Sequence, residues 1–181
     1  MRLLRLTAER PDAAIRKAVQ EAIRLAETEW APLRFEGIYP ERGFGITTLR
    51  PKDIVYDGTL TGTAQSSIAW IFSISAASTW VDIVDITLSN DLYVVIEGVF
   101  SRMADPSITA IKFVVGGIDF PVINIEEMYT WDLARAYFEE PIIVKPSTAL
   151  KIRAVGTKAS TAEYFGFIGH TIAKRPFLIK E

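Results

Sequence analysis

The chemistry open to this chain is narrow. Its 181 residues include one histidine, His170, and no cysteine. That excludes disulfide frameworks, thiol nucleophiles, Cys-rich zinc or iron–sulfur sites and any multi-histidine metal centre. His170 lies in Gly166-Phe167-Ile168-Gly169-His170-Thr171, with no Gly-x-Ser-x-Gly elbow around it. A nucleophilic triad needs a hydroxyl and an orienting carboxylate converging on the imidazole, so this histidine reads as a structural strand residue. Glycoside hydrolysis needs two carboxyls about 5–10 Å apart across a cleft. Asp82 and Asp85, three apart on an expected strand, should point to opposite faces. Glu126-Glu127 and Glu139-Glu140 meet the same objection, while Glu97 and Glu163 could supply single carboxyls without forming an evident pair. Phosphate-cradling motifs are absent, and Gly43-Phe44-Gly45 is too short to replace them. The expectation is a chain with no catalytic residues, no cofactor and no metal, although the Asp and Asn residues around 85–91 leave room for a loop calcium.

Four tryptophans invite a different chemistry. A sugar platform needs exposed, coplanar rings. Trp70 falls on the apolar face of an alternating run and is expected in the core, whereas Trp80 and Trp131 stand beside polar residues and are the candidate ligand-binding pair. Aromatics are also enriched where subunits meet.

The composition favours subunit contacts. Mean hydropathy is +0.20, with 49% hydrophobic and 23% charged residues, yet no run approaches the 18 apolar residues of a membrane span. The longest candidate, residues 68–77, is broken by serines, and the N-terminus turns charged too early for a secretory signal. The net charge of −2 and pI near 5.6 give no general attraction to nucleic acid or an anionic membrane. The apolar excess is therefore expected between copies of the chain.

The elements that must position these residues begin with a helix over residues 11–30. Pro11 suits its first position and Asp12 the positive end of its dipole. Ile15, Val19, Ala22, Ile23, Ala26 and Trp30 recur at three- and four-residue steps, and Pro32 ends the run. This stripe could pack on its own domain, or it could dock on a neighbour. Residues 33–65 read as an extended connector, with possible edge strands at 46–49, 53–56 and 59–60.

From residue 66 the period becomes two. Ile68, Trp70, Phe72 and Ile74 alternate with small residues; strands follow at 80–88, 92–100, 108–115 and 118–125, with Gly116-Gly117 a strong hairpin signal. Residues 126–140 fit either a short helix or a crossover. Strands then run over 138–144, 150–155 and 163–173. The last, with Phe165, Phe167 and Ile172, is apolar on both faces, which requires a central position or a covering partner. Turns every 8–12 residues without βαβ alternation indicate an all-β fold. We expect a jelly-roll-like antiparallel β-sandwich of about eight strands over residues 66–181, preceded by a helical arm over 1–32.

The hairpin from Ala110 to Ile123, the segment Tyr137-Phe-Glu-Glu-Pro-Ile-Ile-Val-Lys-Pro-Ser-Thr-Ala-Leu-Lys-Ile-Arg and the closing strand Phe165-Gly-Phe-Ile-Gly-His-Thr-Ile-Ala-Lys-Arg-Pro resemble strand pairs of small single jelly-roll virion proteins. The resemblance spans about residues 66–176. It implies a non-enzymatic capsid or virion subunit, located in the virion, whose partners are copies of itself and other virion proteins. Arms that touch genome are usually basic; this one is charge-balanced, which suits a shell lined by membrane or protein. On this view Ile15, Val19, Ile23 and Trp30 of the helix, with Phe165, Phe167 and Ile172, form the subunit interface. A carbohydrate- or receptor-binding sandwich using Trp80 and Trp131 is the alternative, and an extracellular filament subunit exchanging strands is a third.

Overall fold

A strand with one face toward the core must alternate, and this rule builds two sheets. The computed structural model describes residues 5–54 and 69–178, and the statements below concern those residues. The order is β1 (Leu6–Thr7), α1 (Asp12–Glu29), β2 (Phe44–Thr48), α2 (Pro51–Ile54), β3 (Phe72–Ile74), β4 (Val81–Thr87), β5 (Leu92–Ser101) and β6 (Ile108–Val115). There follow β7 (Ile118–Asp119), β8 (Ile123–Asn124), α3 (Glu126–Thr130), β9 (Arg135–Val144), β10 (Ala149–Gly156), β11 (Ser160–Glu163), β12 (Phe165–Lys174) and α4 (Arg175–Leu178). The first sheet runs β1-β9-β5-β12-β2, and the second β4-β10-β6-β7 with β8 also on β6; β11 and β3 form a separate pair.

Four antiparallel pairings define the connectivity: β2 with β12, β4 with β10, β5 with β9, and β6 with β7. Apart from β1, which adds to the edge of β9, the outer strands in sequence pair with each other, then the next inward, down to the β6–β7 hairpin. That nested pairing is a jelly roll, as the strand count led us to expect. Gly116 and Gly117 close the innermost hairpin with φ of 58° and 79°, the two positive values a two-residue turn of this hand demands.

The sheets enclose one apolar core. Phe113 of β6 touches Phe138 of β9 and Phe167 of β12, with ring centroids 5.7 and 5.9 Å apart. This seats β6 over β5. With the nested pairs of a jelly roll stacked across the core, β7 lies above the β9 side of the first sheet and β4 above the β12–β2 side.

The two-sided apolar strands have a third layer to thank. On β5, Leu92, Val94 and Ile96 face the core between the sheets, while Tyr93 and Val95 face outward. On β12, Phe165 and Phe167 face inward and Ile172 outward. Helix α1 covers that outer face: Ala18, Ala22 and Ala26 lie flat against it, with Val19 and Ile23 beside them. Trp30 closes the far end edge-on to Phe44 and Tyr93, at 5.2 and 5.5 Å. The alanines let the helix approach closely.

The residues expected at a subunit interface pack within this one chain. Ile15, Trp30, Phe165, Phe167 and Ile172 are buried within the single chain, and Val19 and Ile23 are half-buried in the same packing. The helix stripe and the outward face of β12 cover each other within the chain.

Corrections to the expected elements have local causes. Asp53 and Ile54 form a helical turn, α2, where an edge strand was expected, because the Asp53 carboxylate accepts the Arg50 backbone N–H at 2.9 Å and holds the turn. Residues 59–60 and Ile68 lie outside the described residues. The expected strand over 163–173 divides at Tyr164 into β11 and β12, and that over 118–125 divides into β7 and β8.

Candidate interaction surfaces

Two exposed apolar pairs stand on opposite flanks of the sandwich. On one flank, residues 34–37 lie along β2: the Glu36 N–H donates to Phe44 O and the Ile46 N–H to Gly37 O, both at 2.9 Å. Ile38 and Tyr39 follow directly and stand out from the fold, Tyr39 being 89% exposed. On the other flank, at β7, Ile118 is 68% exposed, and Val122 beyond it is exposed as well. An edge strand carrying apolar side chains offers both a template for pairing and a surface to bury.

A third surface lies at one end of the sandwich, where β5 and β10 finish and β4, β6, β9 and β12 begin. The Ser101 N–H donates to Ala134 O at 2.9 Å, and the next N–H, of Arg102, donates to Tyr164 O at 2.8 Å. The end of β5 thus ties the segment after Trp131 on one side and Tyr164 on the other. Trp131 and Tyr164 are 43% and 42% exposed. Trp80 precedes β4 at this same end and is half-buried; the nearby Ser78 N–H donates to Gly156 O at 2.8 Å. Trp70 is turned inward, edge-on to Phe167 at 5.7 Å and Phe100 at 6.4 Å. Trp70 and Trp80 are thus both half-buried, and of the tryptophans expected to stay open Trp131 is the exposed one.

Three buried carboxylates have different surroundings. Glu97, 1% exposed, bonds His170 Nδ1 through Oε1, and Arg10 Nη2 lies 3.5 Å from its Oε2. Asp53 accepts from Arg50 Nε and Nη2 and from Thr171 Oγ1, the last at 2.7 Å. Glu163 accepts only the Ser107 N–H, at 3.0 Å, and its Oε2 is buried without a partner. Glu97 sits on the outward face of the first sheet, while Glu163 turns toward the second, so they do not make a two-carboxylate cleft. Tyr129, on α3, is pushed above the ordinary phenol range, first by burial and further by the charge of Glu163, with Ser101 opposing.

The outward face of the second sheet is a ladder of ion pairs. Lys151 Nζ lies 2.8 Å from Asp85 and 3.2 Å from Asp82, and Arg153 Nε lies 2.9 Å from Asp82. Asp85 and then Asp82 raise the Lys151 pKa by hydrogen bonding to its ammonium form. The two aspartates therefore share one face, against the expectation from their spacing. Register slips between Ile152 and Arg153, so that Val84 pairs with Ile152 but Asp82 with Arg153. Ile83 is the extra residue, and this bulge reverses the alternation beyond it. Both carboxylates are occupied by cations on an open face, which is a solvated, structural arrangement.

Sequence reasoning passed over Tyr164, Tyr129 and Ser107. The available signal for Tyr164 was parity: it stands out of step with Phe165 and Phe167 in a run read as continuous strand. Among the described residues no group of three or more His, Asp or Glu could hold a metal ion, and no helix is long and apolar enough to cross a membrane.

No family model matches the chain, and no curated protein matches it. Among solved structures it is similar to the Podospora anserina GH26-CBM35 beta-(1,4)-mannanase, at 8% identity and a TM-score of 0.29, over 71% of this chain and 27% of that one. The chain spans about a quarter of that structure's length. A likeness this slight carries no argument about activity.

Proposed function

We propose that this chain is a non-enzymatic structural subunit that assembles with many copies of itself, of the kind that builds a viral shell. Jelly rolls serve in capsids and in lectins alike, so the fold alone does not choose between them. The observation that carries the reading is the placement of Ile38–Tyr39 and Ile118–Val122 on opposite flanks. A contact joining one flank of a copy to the other flank of the next is heterologous: each copy added leaves a flank free, and the contact propagates until a ring or shell closes. The interface thus moves from the helix, where the sequence suggested it, to the sheet edges.

Light scattering across concentration, with electron micrographs of the same sample, tests this. Rings, sheets or shells are expected. Tyr39→Asp and Ile118→Asp should each yield a smaller species with an unchanged circular dichroism spectrum, because both side chains are already in water in the single chain. A strict monomer at every concentration overturns the reading.

A second reading has its own observation, the exposed Trp131 and Tyr164 beside Trp80 at one end. It makes the chain a glycan- or receptor-binding module. A glycan panel decides it: binding lost in Trp131→Ala and Tyr164→Ala supports it, and no binding by the parent protein removes it.

A further inference from the structure

Beneath the aromatic end, three segments each deliver a buried oxygen that is short of partners. Ser107 Oγ, from the connection between β5 and β6, and Glu163 Oε2, from the end of β11, are buried and unbonded, and Tyr129 Oη, from α3, is buried with only Ser101 beside it. Ser107 and Glu163 have almost no exposed surface. The carboxylate and the Ser107 side chain share one space, since Glu163 Oε1 accepts the Ser107 N–H at 3.0 Å. Tyr129 lies close enough to feel the Glu163 charge. The other two buried carboxylates have arginines beside them, but no cationic side chain pairs with Glu163 among the described residues. A buried carboxylate held by a single N–H is an unfavourable arrangement unless a positive charge completes it.

We propose that Glu163, Ser107 and Tyr129 form a binding site for a hard cation, Ca2+ foremost. The three groups are one anionic and two neutral oxygens, with no nitrogen or sulfur, which suits a hard ion. Ca2+ accepts irregular oxygen shells completed by carbonyls and water, whereas Mg2+ demands near-octahedral geometry and sheds water reluctantly. With one carboxylate the site is weak, in the range of about 10⁻⁴–10⁻³ M known for sites of low ligand charge. Its effect is mechanical. Glu163 directly precedes Tyr164, Tyr129 is two residues before Trp131, and Ser107 ends the connection that begins at Arg102. One ion would cross-link the three segments that shape this end, whether that end meets a glycan or another subunit.

The test uses the full chain, stripped with a chelator and unfolded thermally in CaCl2, MgCl2 or NaCl at matched ionic strength. Millimolar Ca2+ should raise Tm by several degrees and more than Mg2+ does. Glu163→Gln should abolish that shift, while Asp105→Asn and Asp132→Asn, at exposed carboxylates of the same end, should retain it. Terbium luminescence sensitised by the aromatic residues, measured on the parent protein, keeps the test decisive if Glu163→Gln does not fold; Ca2+ should displace it. A Ca2+ shift that persists in Glu163→Gln overturns the proposal. So does the absence of both a Ca2+-dependent shift and a displaceable terbium signal.

Discussion

Glu97 reaches His170 from the adjacent strand although neither is the other's register partner. His170 pairs with Val95, Gly169 with Ile96 and Ile168 with Gly98, so Glu97 is the extra residue of a bulge in β5. Its carboxylate stays in step with Tyr93 and Val95 on the outward face, where His170 and Arg10 receive it just before α1 begins, and the bulge returns Val99 to the core. The backbone is tight here: a Cβ on Gly98 would sit 2.2 Å from Ala136 O, and one on Gly169 2.0 Å from Val95 O. Pro141, in the partner strand β9, falls where the pairing slips between Ile96 and Gly98, a place where its missing N–H breaks no ladder bond.

Glu97→Ala should therefore lower stability by about 1–2 kcal/mol, below the usual cost of breaking a fully buried pair because Arg10 and His170 keep contact with water. Arg10→Ala should cost less than about 1 kcal/mol, as its contact is long and half-exposed. Urea unfolding of the two variants checks the order; equal losses would mean that Arg10, and not His170, is the main partner.

Helix α1 docks through alanines, so added bulk should lift it from the sheet. Ala22→Leu, at a position with no exposed surface, should cost about 1–3 kcal/mol. It should also redden Trp30 fluorescence as that ring loses Phe44 and Tyr93. An unchanged emission spectrum would show that the helix seats elsewhere.

Gly166 lies beneath two aromatic rings, with Trp70 Cγ 2.5 Å and Phe100 Cζ 2.6 Å from where a Cβ would stand. Gly166→Ala should displace Trp70 and cost about 1–3 kcal/mol. Trp70→Ala should cost roughly 2–3 kcal/mol, less than the 3–5 typical of a fully buried tryptophan, since the ring is only half-buried. Thermal unfolding of both, with near-ultraviolet circular dichroism, measures the ring's loss directly.

Alkaline pH should unfold the protein through two phenols. Tyr93 is pushed well above the ordinary range by burial and by its bond to Glu29, and Tyr129 by burial beside Glu163. Unfolding returns both to about 10. Below pH 10 both states hold these protons and the contribution is intact. Above it the unfolded chain releases protons that the fold retains, so stability falls by about 1.4 kcal/mol per pH unit for each tyrosine. Tyr93→Phe and Tyr129→Phe should each flatten the decline by one such increment in urea titrations between pH 9 and 11.

Most of the sandwich is readable from alternation and turn residues. The run from Ile108 to Val115 and the Gly116-Gly117 hairpin appear where their pattern places them, because turn chemistry and strand period agree. Bulges escaped. Nothing local distinguishes Ile83 or Glu97 from a regular strand position; only the pairing with β10 or β12 shows the extra residue, and with it the shared face of Asp82 and Asp85. The packing of the helix on its own sheet was hidden for a related reason. A stripe of Ile15, Val19, Ile23 and Trp30 is equally apolar whether it covers its own sheet or another's, and its partner strand looked unpartnered only while the helix was set aside. At the aromatic end, single residues from four connections meet, and sequence spacing does not encode that meeting.

The pairing of β2 with β12 has a consequence for synthesis on the ribosome. β12 is inserted between β5 and β2, yet it is the last strand of the described fold to be made. Until about residue 174 has emerged, β5 lacks one neighbour, β2 has none within the sheet, and α1 has nothing complete to lie on. Folding must wait for contacts between distant parts of the chain, which makes it slow and leaves apolar strands open to misassociation in the interval. Nascent chains halted before β12 should be protease-sensitive and held by chaperones, and release of the tail should set the moment at which the protein becomes competent for anything else.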